Sequence, residues 1–391
     1  LSDALNRVDP ESLPRILCCD IDAFYCQAAQ LTWPDRLRGV ELLLVGGHPG
    51  RRGVVVSCSY AARQFGVHSA MPMASAVRLC PDATAVPVPW ATVRRKSREV
   101  FAVLRRHCER MERSSIDEGY LLLGDDAGPT ESAAHQIRDA VRAETAITVS
   151  IGGASVRFLA KMASGLAKPR PGTGATGVFI VPPGGEYEFI GGRPLGDIPG
   201  IGPSFLQSLQ RRGIGSVAAA RRIDLATLTV WLGPARARFL HDRVRGIGGS
   251  HVADGREQRK SISAEETFSR DLHDLHELER ELNLLVADVG RTLRKEGLRA
   301  RTVGVKLRNR EFRDRQRNRT LPEAVETDAV LLDVARSLLA ELRERQPGYV
   351  RLLGVSLGNL EPPPRAQQLT LPGIARPLET DEDRRADGPT A

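Results

Sequence analysis

The chain has 391 residues, 41% apolar and 27% charged, with six cysteines and a formal net charge of +8. That size and composition fit a globular protein of two to four domains. No apolar run is long enough to span a membrane, and residues 1–13 mix Asp, Glu and Arg with no apolar core, which argues against a secretory signal; the leading Leu1 reads as a trimmed start. The cysteines all lie in the first third and none form a Cys-x-x-Cys pair, so they read as reduced thiols rather than a disulfide framework or a zinc site.

The positive charge is local. Residues 291–320 hold twelve Arg or Lys against three acids, a net +9, which leaves −1 for the other 361 residues. One concentrated basic segment points to a polyanionic partner, nucleic acid first. Only six of the basic residues are Lys, against fifty Arg.

Taken in order, Ile16, Leu17, Cys18 and Cys19 form a short apolar run that predicts a buried strand, with Asp20 and Asp22 where it ends. A helix is expected over residues 23–30, stopping near Trp33-Pro34. Strands are expected over 42–45 and 54–56 around a Gly/Pro/Arg loop, and short helices over 59–65 and 73–79. A long helical pattern over 90–113 leads to Asp117-Glu118 at the mouth of a second apolar strand. A helix over 131–144, a strand over 147–151 and a helix over 157–167, stopped by Pro169, complete an alternation that argues for an α/β layer.

Composition then shifts. Residues 169–177 are a Gly/Pro loop, 194–246 read as several short helices, and 246–259 as a linker. An amphipathic helix is expected over 271–296. Val303, Val305 and Leu307 alternate with Gly304, Lys306 and Arg308 in a half-buried strand; Arg310 extends its basic face, and Arg313, Arg315, Arg317 and Arg319 continue the alternation. A helix over 327–345, a strand over 352–357 and a Pro-rich, then acidic, disordered tail from Pro362 follow. No internal repeat is visible.

Asp20/Asp22 and Asp117/Glu118 carry the chemistry. Either pair alone reads as a capped turn. If their strands are antiparallel neighbours, the pairs meet at one sheet edge, where carboxylates repel unless cations bind between them. Oxygen-only ligation suits Mg²⁺, and two such ions about 3.5–4 Å apart can activate a hydroxyl and stabilise a leaving phosphate oxygen.

Three blocks resemble the signatures of Y-family (translesion) DNA polymerases: Asp-Ile-Asp-Ala-Phe-Tyr at 20–25, Ser-Tyr-Ala-Ala-Arg-Gln-Phe-Gly-Val at 59–67 and Ser-Ile-Asp-Glu-Gly-Tyr-Leu at 115–121. Their order and spacing match too, and the resemblance, closest to the bacterial polymerase IV branch, runs from about residue 14 to 372. It implies an α/β (α+β) multidomain right-hand fold. The palm would take residues 14–23 and 88–178, small fingers 24–87, and a helix-hairpin-helix thumb 179–247. A linker over 248–261 and a little finger over 262–361 would follow, with residues 1–13 as an extension and 362–391 as a tail.

It also implies roles. Asp20, Asp117 and Glu118, with the Ile21 carbonyl, would hold two Mg²⁺ ions (Mn²⁺ as substitute), and Asp22 would support them. Ala23, Phe24, Tyr25, Ser57, Tyr60, Arg63 and Lys168 would bind the nucleotide, with Tyr25 as steric gate against a 2′-hydroxyl. Gly200 and Gly202, in Ile-Pro-Gly-Ile-Gly-Pro at 198–203, would offer backbone amides to a DNA phosphate. Lys306, Arg308, Arg310, Arg313, Arg315 and Arg317 would hold DNA without reading its sequence. Gln368, Leu369 and Leu371 resemble a peptide that docks on a sliding clamp.

The implied partners are primer–template DNA, a deoxynucleoside triphosphate and the clamp. The implied state is a cytoplasmic, nucleoid-associated monomer with no membrane contact. The chain departs from the family pattern at Val156-Arg157, where an Asn-Lys is common. Two rival readings are a catalytically impaired DNA-binding scaffold of this fold and a haloacid-dehalogenase-type phosphatase built on Asp20 and Asp22.

Overall fold

The computed structural model describes residues 15–254 and 259–363. They fall into two compact units, the first ending at Gln258 and the second beginning at Arg259.

The first unit opens with β1 (Ile16–Ile21) and α1 (Phe24–Thr32). A small lobe follows: β2 (Leu43–Gly46), β3 (Val55–Cys58), α2 (Tyr60–Arg63), α3 (Met73–Leu79) and β4 (Thr84–Val86). The chain returns through α4 (Trp90–Arg105), β5 (Arg110–Arg113), β6 (Glu118–Leu122), α5 (Thr130–Thr145), β7 (Val149–Ala154), α6 (Arg157–Ala167) and β8 (Val178–Ile180). Short helices close the unit: α7 (Glu186–Gly191), α8 (Pro203–Gln210), α9 (Val217–Arg221), α10 (Leu225–Leu232) and α11 (Pro234–Arg243).

The main sheet has the order β5-β6-β1-β7-β8, antiparallel except for the last pair. β1 is therefore central and covered on both faces. Ile16 and Cys18 pack into the cluster shared with α6, and Leu17, Cys19 and Ile21 into the one shared with α4 and α5. Burial on both faces explains why β1 reads as an unbroken apolar run rather than an alternation. Burial also pushes the Cys18 thiol up to about 12, so it stays protonated and packs as a small apolar group.

α6 lies directly on β7. A Cβ on Gly152 would come within 2.0 Å of the Ser164 backbone nitrogen and 2.3 Å of the Ala160 carbonyl. Only glycine permits that approach, and it sets the height over the sheet of the helix that carries Lys161 and leads into Lys168.

The predicted helix over 90–113 is corrected: it stops at Arg105, and Arg110–Arg113 is an edge strand paired to β6. A four-residue charged run has too little pattern to announce a strand, and pairing supplies what propensity lacks.

In the second unit, β9 (Ser261–Leu272), α12 (Leu275–Lys295), β10 (Arg299–Asn309), β11 (Asp314–Val325), α13 (Asp328–Arg345) and β12 (Val350–Glu361) form a β11-β10-β12-β9 antiparallel sheet that buries its apolar face under two helices. The helix predicted from Asp271 begins instead at Leu275. Asp274 caps it, its carboxylate accepting the Glu277 N–H at 2.9 Å, while Asp271 and Leu272 finish β9. The sequence pattern predicts no separate strand at β4, β8, β9 or β11.

Candidate active site

The β1–β6 register places Asp20 directly opposite Glu118, and the Ile21 N–H donates to the Asp117 carbonyl at 2.9 Å. Three carboxylates thus hang from two adjacent antiparallel strands at one end of the sheet. Their side chains are held by cations and a hydroxyl. Lys168, just past the end of α6, contacts Asp20, and Lys161 contacts Glu118. The Ser115 hydroxyl donates to Asp117 and accepts the Glu118 N–H at 2.9 Å. In this arrangement, among the described residues, no three His, Cys, Asp or Glu side chains gather closely enough to hold a metal.

The donor set nonetheless fits a hard divalent cation. It is all oxygen, it converges by backbone register, and it has already drawn in two ammonium groups from a chain with six lysines. Burial raises the Asp20 pKa; Lys168 pulls it down, and Asp117 and Glu118 push it up again. Extra positive charge at this corner would relieve that strain.

Asp22 is buried, with 3% of its surface exposed. One oxygen accepts hydrogen bonds from Ser150 at 2.6 Å and Tyr60 at 3.2 Å; the other has no partner among the described residues. Its N–H donates to Thr148. Ala23 follows in a left-handed conformation, φ 39° and ψ 46°, which turns the chain from strand into helix. Such a backbone costs an alanine about 1–2 kcal/mol, and Gln27 braces it. The Gln27 amide accepts the Thr148 N–H at 2.8 Å and donates to the Thr148 and Asp22 carbonyls.

Phe24 points into the core. Tyr25 lies 5.7 Å from the Phe24 ring and edge-on to Trp90, centroids 6.0 Å apart at 88°. Burial, and then the charge of Asp117, raise the Tyr25 hydroxyl pKa. Ser57 is buried on β3. Arg63 donates from Nε to the Cys58 carbonyl and lies 5.1 Å over the Tyr60 ring, and burial pushes the Tyr60 hydroxyl pKa upward. The sequence alone assigns no role to Gln27, Trp90, Ser115 or Ser150. Ser115 lies inside the block at 115–121, two residues before Asp117, and Gln27 one helical turn after Ala23 on α1, whereas Trp90 and Ser150 carry no local signal.

Gly200 has φ 98°, and a Cβ there would meet the Phe239 ring at 2.5 Å. Gly202 precedes α8 at the rim of a shallow hollow of about 330 Å³ lined by Phe205, Ser208 and Arg236.

In the second unit the expected basic face divides. Lys306 and Arg308 lie opposite Gln316 and Asp314, on the sheet face away from the helices. Arg315, Arg317 and Arg319 lie opposite Leu307, Val305 and Val303, on the helix side. Acids already engage several of them: Lys306 bonds Glu265 at 3.0 Å, Arg308 bonds Asp314, Arg310 lies 3.7 Å from Asp271, and Arg319 reaches Glu341 on α13. Arg313 and Arg315 are exposed and Arg317 half-buried. Gln368, Leu369 and Leu371 lie outside the described residues.

Comparison with known proteins agrees across the chain. Residues 19–165 match the impB/mucB/samB family and residues 259–371 its C-terminal domain. A DNA polymerase IV of Gluconobacter oxydans is 38% identical over 90% of this chain and 97% of its own length. One from Methanoculleus marisnigri is 39% identical over 88% and 94%. Among solved structures, a Y-family DNA polymerase chimera of Dbh and Dpo4 superposes with a TM-score of 0.79 at 22% identity, covering 89% of this chain and all of that one. An insertion ternary complex of Dbh DNA polymerase gives 0.61 at 23%, with the same coverages. Neither a phosphatase nor a silent scaffold is favoured by these likenesses, and the chain belongs to the impB/mucB/samB family, the Y-family translesion DNA polymerases of the DNA polymerase IV type.

Proposed function

We propose that the corner formed by Asp20, Asp117 and Glu118 is where this polymerase extends a primer 3′-hydroxyl, with Mg²⁺ held by those carboxylates and the Ile21 carbonyl. The observation that carries the reading is the register: Asp20 faces Glu118 across one strand pair, with the Asp117 carbonyl on the Ile21 N–H. Bound there, the ions would activate the attacking hydroxyl and neutralise charge on the phosphates.

The chain's own residues do the positioning. Lys168 and Lys161 neutralise the carboxylates in the free protein and are set to turn toward phosphate oxygens when a triphosphate arrives. Arg63 offers a planar fork to the outer phosphates, with Ser57 and Tyr60 beside it. Tyr60 and Ser150 hold Asp22, which keeps the turn at Ala23 and Phe24 fixed beneath the nucleotide. Tyr25, steadied by the edge of Trp90, occupies the space a ribose 2′-hydroxyl needs.

Primer–template DNA is the substrate in this reading. Amides at Gly200 and Gly202 would meet its backbone, as would Lys306, Arg308, Arg310, Arg313, Arg315 and Arg317 of the second unit. The peptide with Gln368, Leu369 and Leu371 would dock on a sliding clamp, the polymerase itself acting as a cytoplasmic monomer. Among the described residues no helix is long and apolar enough to cross a membrane.

Primer extension on a templated duplex with Mg²⁺ tests the site. Wild type should extend, and Asp117→Ala should bind DNA without extending it. Full extension by Asp117→Ala would remove the site.

A further inference from the structure

Away from the carboxylates, a dense polar network surrounds Arg157, the first residue of α6. A cation there is unfavourable in itself, because the helix dipole presents positive charge at that end. Its surroundings explain it. The guanidinium forks onto both oxygens of Glu112 on β5, Nη1 to Oε2 at 2.6 Å, and lies 4.3 Å over the Tyr120 ring on β6. Glu112 is opposite Tyr120 in the β5–β6 register, and Tyr120 shares a sheet face with Glu118, two residues earlier. Four residues along α6 from Arg157, Lys161 reaches Glu118. α6 is therefore fastened to β6 by two cations one turn apart, one at Tyr120 and one at the catalytic carboxylate.

The same pair fastens the segment that leaves α11. The Arg157 N–H donates to the Gly249 carbonyl at 3.1 Å, and Nη1 donates to the His251 carbonyl at 2.9 Å. Glu112 Oε2 accepts the Ala253 N–H at 3.0 Å. Val252 is 2% exposed, within the same core cluster as Val156, Phe158 and Tyr120. Just before this segment, a Cβ on Gly248 would come within 2.3 Å of the Arg243 guanidinium and 2.9 Å of the Phe158 ring, so a side chain there would force both to move. A stretch that reads as a linker is held at Gly249 and His251 by Arg157 at the start of α6, and at Ala253 by Glu112 of the sheet.

We propose that Arg157 and Glu112 are positioning residues that strap residues 249–253 onto the strand pair bearing Glu118, so that the chain leaving the catalytic unit is anchored to the active site rather than hanging free. The anchored strap sets how short a tether holds the basic C-terminal unit, and so the effective concentration at which that unit meets DNA bound at the catalytic corner. This consequence rests on the reading that the second unit grips DNA.

The test uses the full chain with Glu112→Gln, Arg157→Met, Arg157→Lys and Ala253→Pro. The last removes one strap bond without touching the ion pair. Hydrogen exchange at residues 249–253 should accelerate in Glu112→Gln and Arg157→Met. In the same two variants the KM for primer–template should rise about five- to thirtyfold, the factor that 1–2 kcal/mol gives, while kcat for a single insertion stays within about twofold. Arg157→Lys keeps the charge without the fork, and Ala253→Pro loses one bond, so both should give intermediate shifts. Unchanged exchange, or faster exchange with unchanged KM, overturns the proposal. A paired Arg315→Ala/Arg317→Ala control separates the two readings. If it too leaves KM unchanged, the DNA-gripping role of the second unit falls as well.

Discussion

The acidic corner of the first unit and the basic sheet of the second both set charge on antiparallel strands, yet they are built in opposite ways. Asp20 hangs from a central strand whose apolar residues are almost wholly buried, and its neighbours are fixed by register. Few charges are present, each has one position, and each is countered by a named side chain. The second unit spreads its charge over β10 and the edge strand β11, on both faces, with nearby acids neutralising part of it. If, as proposed, the corner places a reacting atom, it needs a rigid, low-dielectric frame, whereas a sheet that attracts a polyanion gains more from number than from precision.

That contrast can be broken by substitution, and the corner should respond most. Asp117→Ala or Glu118→Ala should lower primer extension by about a thousandfold or more, as loss of charge stabilisation in the transition state does, with DNA affinity nearly unchanged in a binding assay. Tyr25→Ala should raise ribonucleotide incorporation by about tenfold or more, equal to roughly 1.4 kcal/mol of lost steric exclusion, measured as the ratio of ribo- to deoxynucleotide insertion. Trp90→Ala should move that ratio in the same direction by less.

The basic sheet should respond by small increments. Arg315→Ala or Arg317→Ala should each weaken DNA binding about threefold to tenfold at low salt and reduce the slope of log affinity against log salt by about one. A loss of DNA binding of about a thousandfold from either single substitution, instead of a few-fold, would show that the sheet, too, depends on single positions.

The smallest effect concerns pH at the strap. Burial pushes the Glu112 carboxyl up, but the Arg157 fork and the Ala253 N–H outweigh it and hold it below the usual glutamate range. A carboxyl depressed in the folded state contributes fully above its ordinary value of about 4.3 and loses that contribution as pH falls through the lowered value. Protection of residues 249–253 should therefore be flat from neutrality down to about pH 5 and weaken only below about pH 4; in Glu112→Gln that acid-dependent step should vanish.

Much of the catalytic unit could be read along the chain. The run Ile16–Cys19 announced β1 because a strand buried on both faces must be apolar throughout. The periodicity of 157–167 gave α6 within its observed bounds, because Pro169 ends it soon after. The three signature blocks carried the family. The basic segment was visible as charge, but its alternation suggested one face. The hairpin between β10 and β11 turns the second strand back in a register that sets Arg315 beside Leu307 and leaves Lys306 and Arg308 on the other side.

What the sequence determined by itself, then, was everything that local chemistry forces: the apolar strands, the stops at proline, the acid pairs beside buried runs and the location of the positive charge. The tertiary structure alone decided which groups meet. It brought Asp20 opposite Glu118, set Lys161 and Lys168 on them, put Gln27 under the left-handed turn at Ala23, and used Arg157 with Glu112 to bind a stretch of apparent linker to the sheet. These partners lie between 4 and 148 residues apart. No local pattern encodes such pairings, because they follow from strand register and from the height of a helix over a glycine, which exist only once the chain has folded.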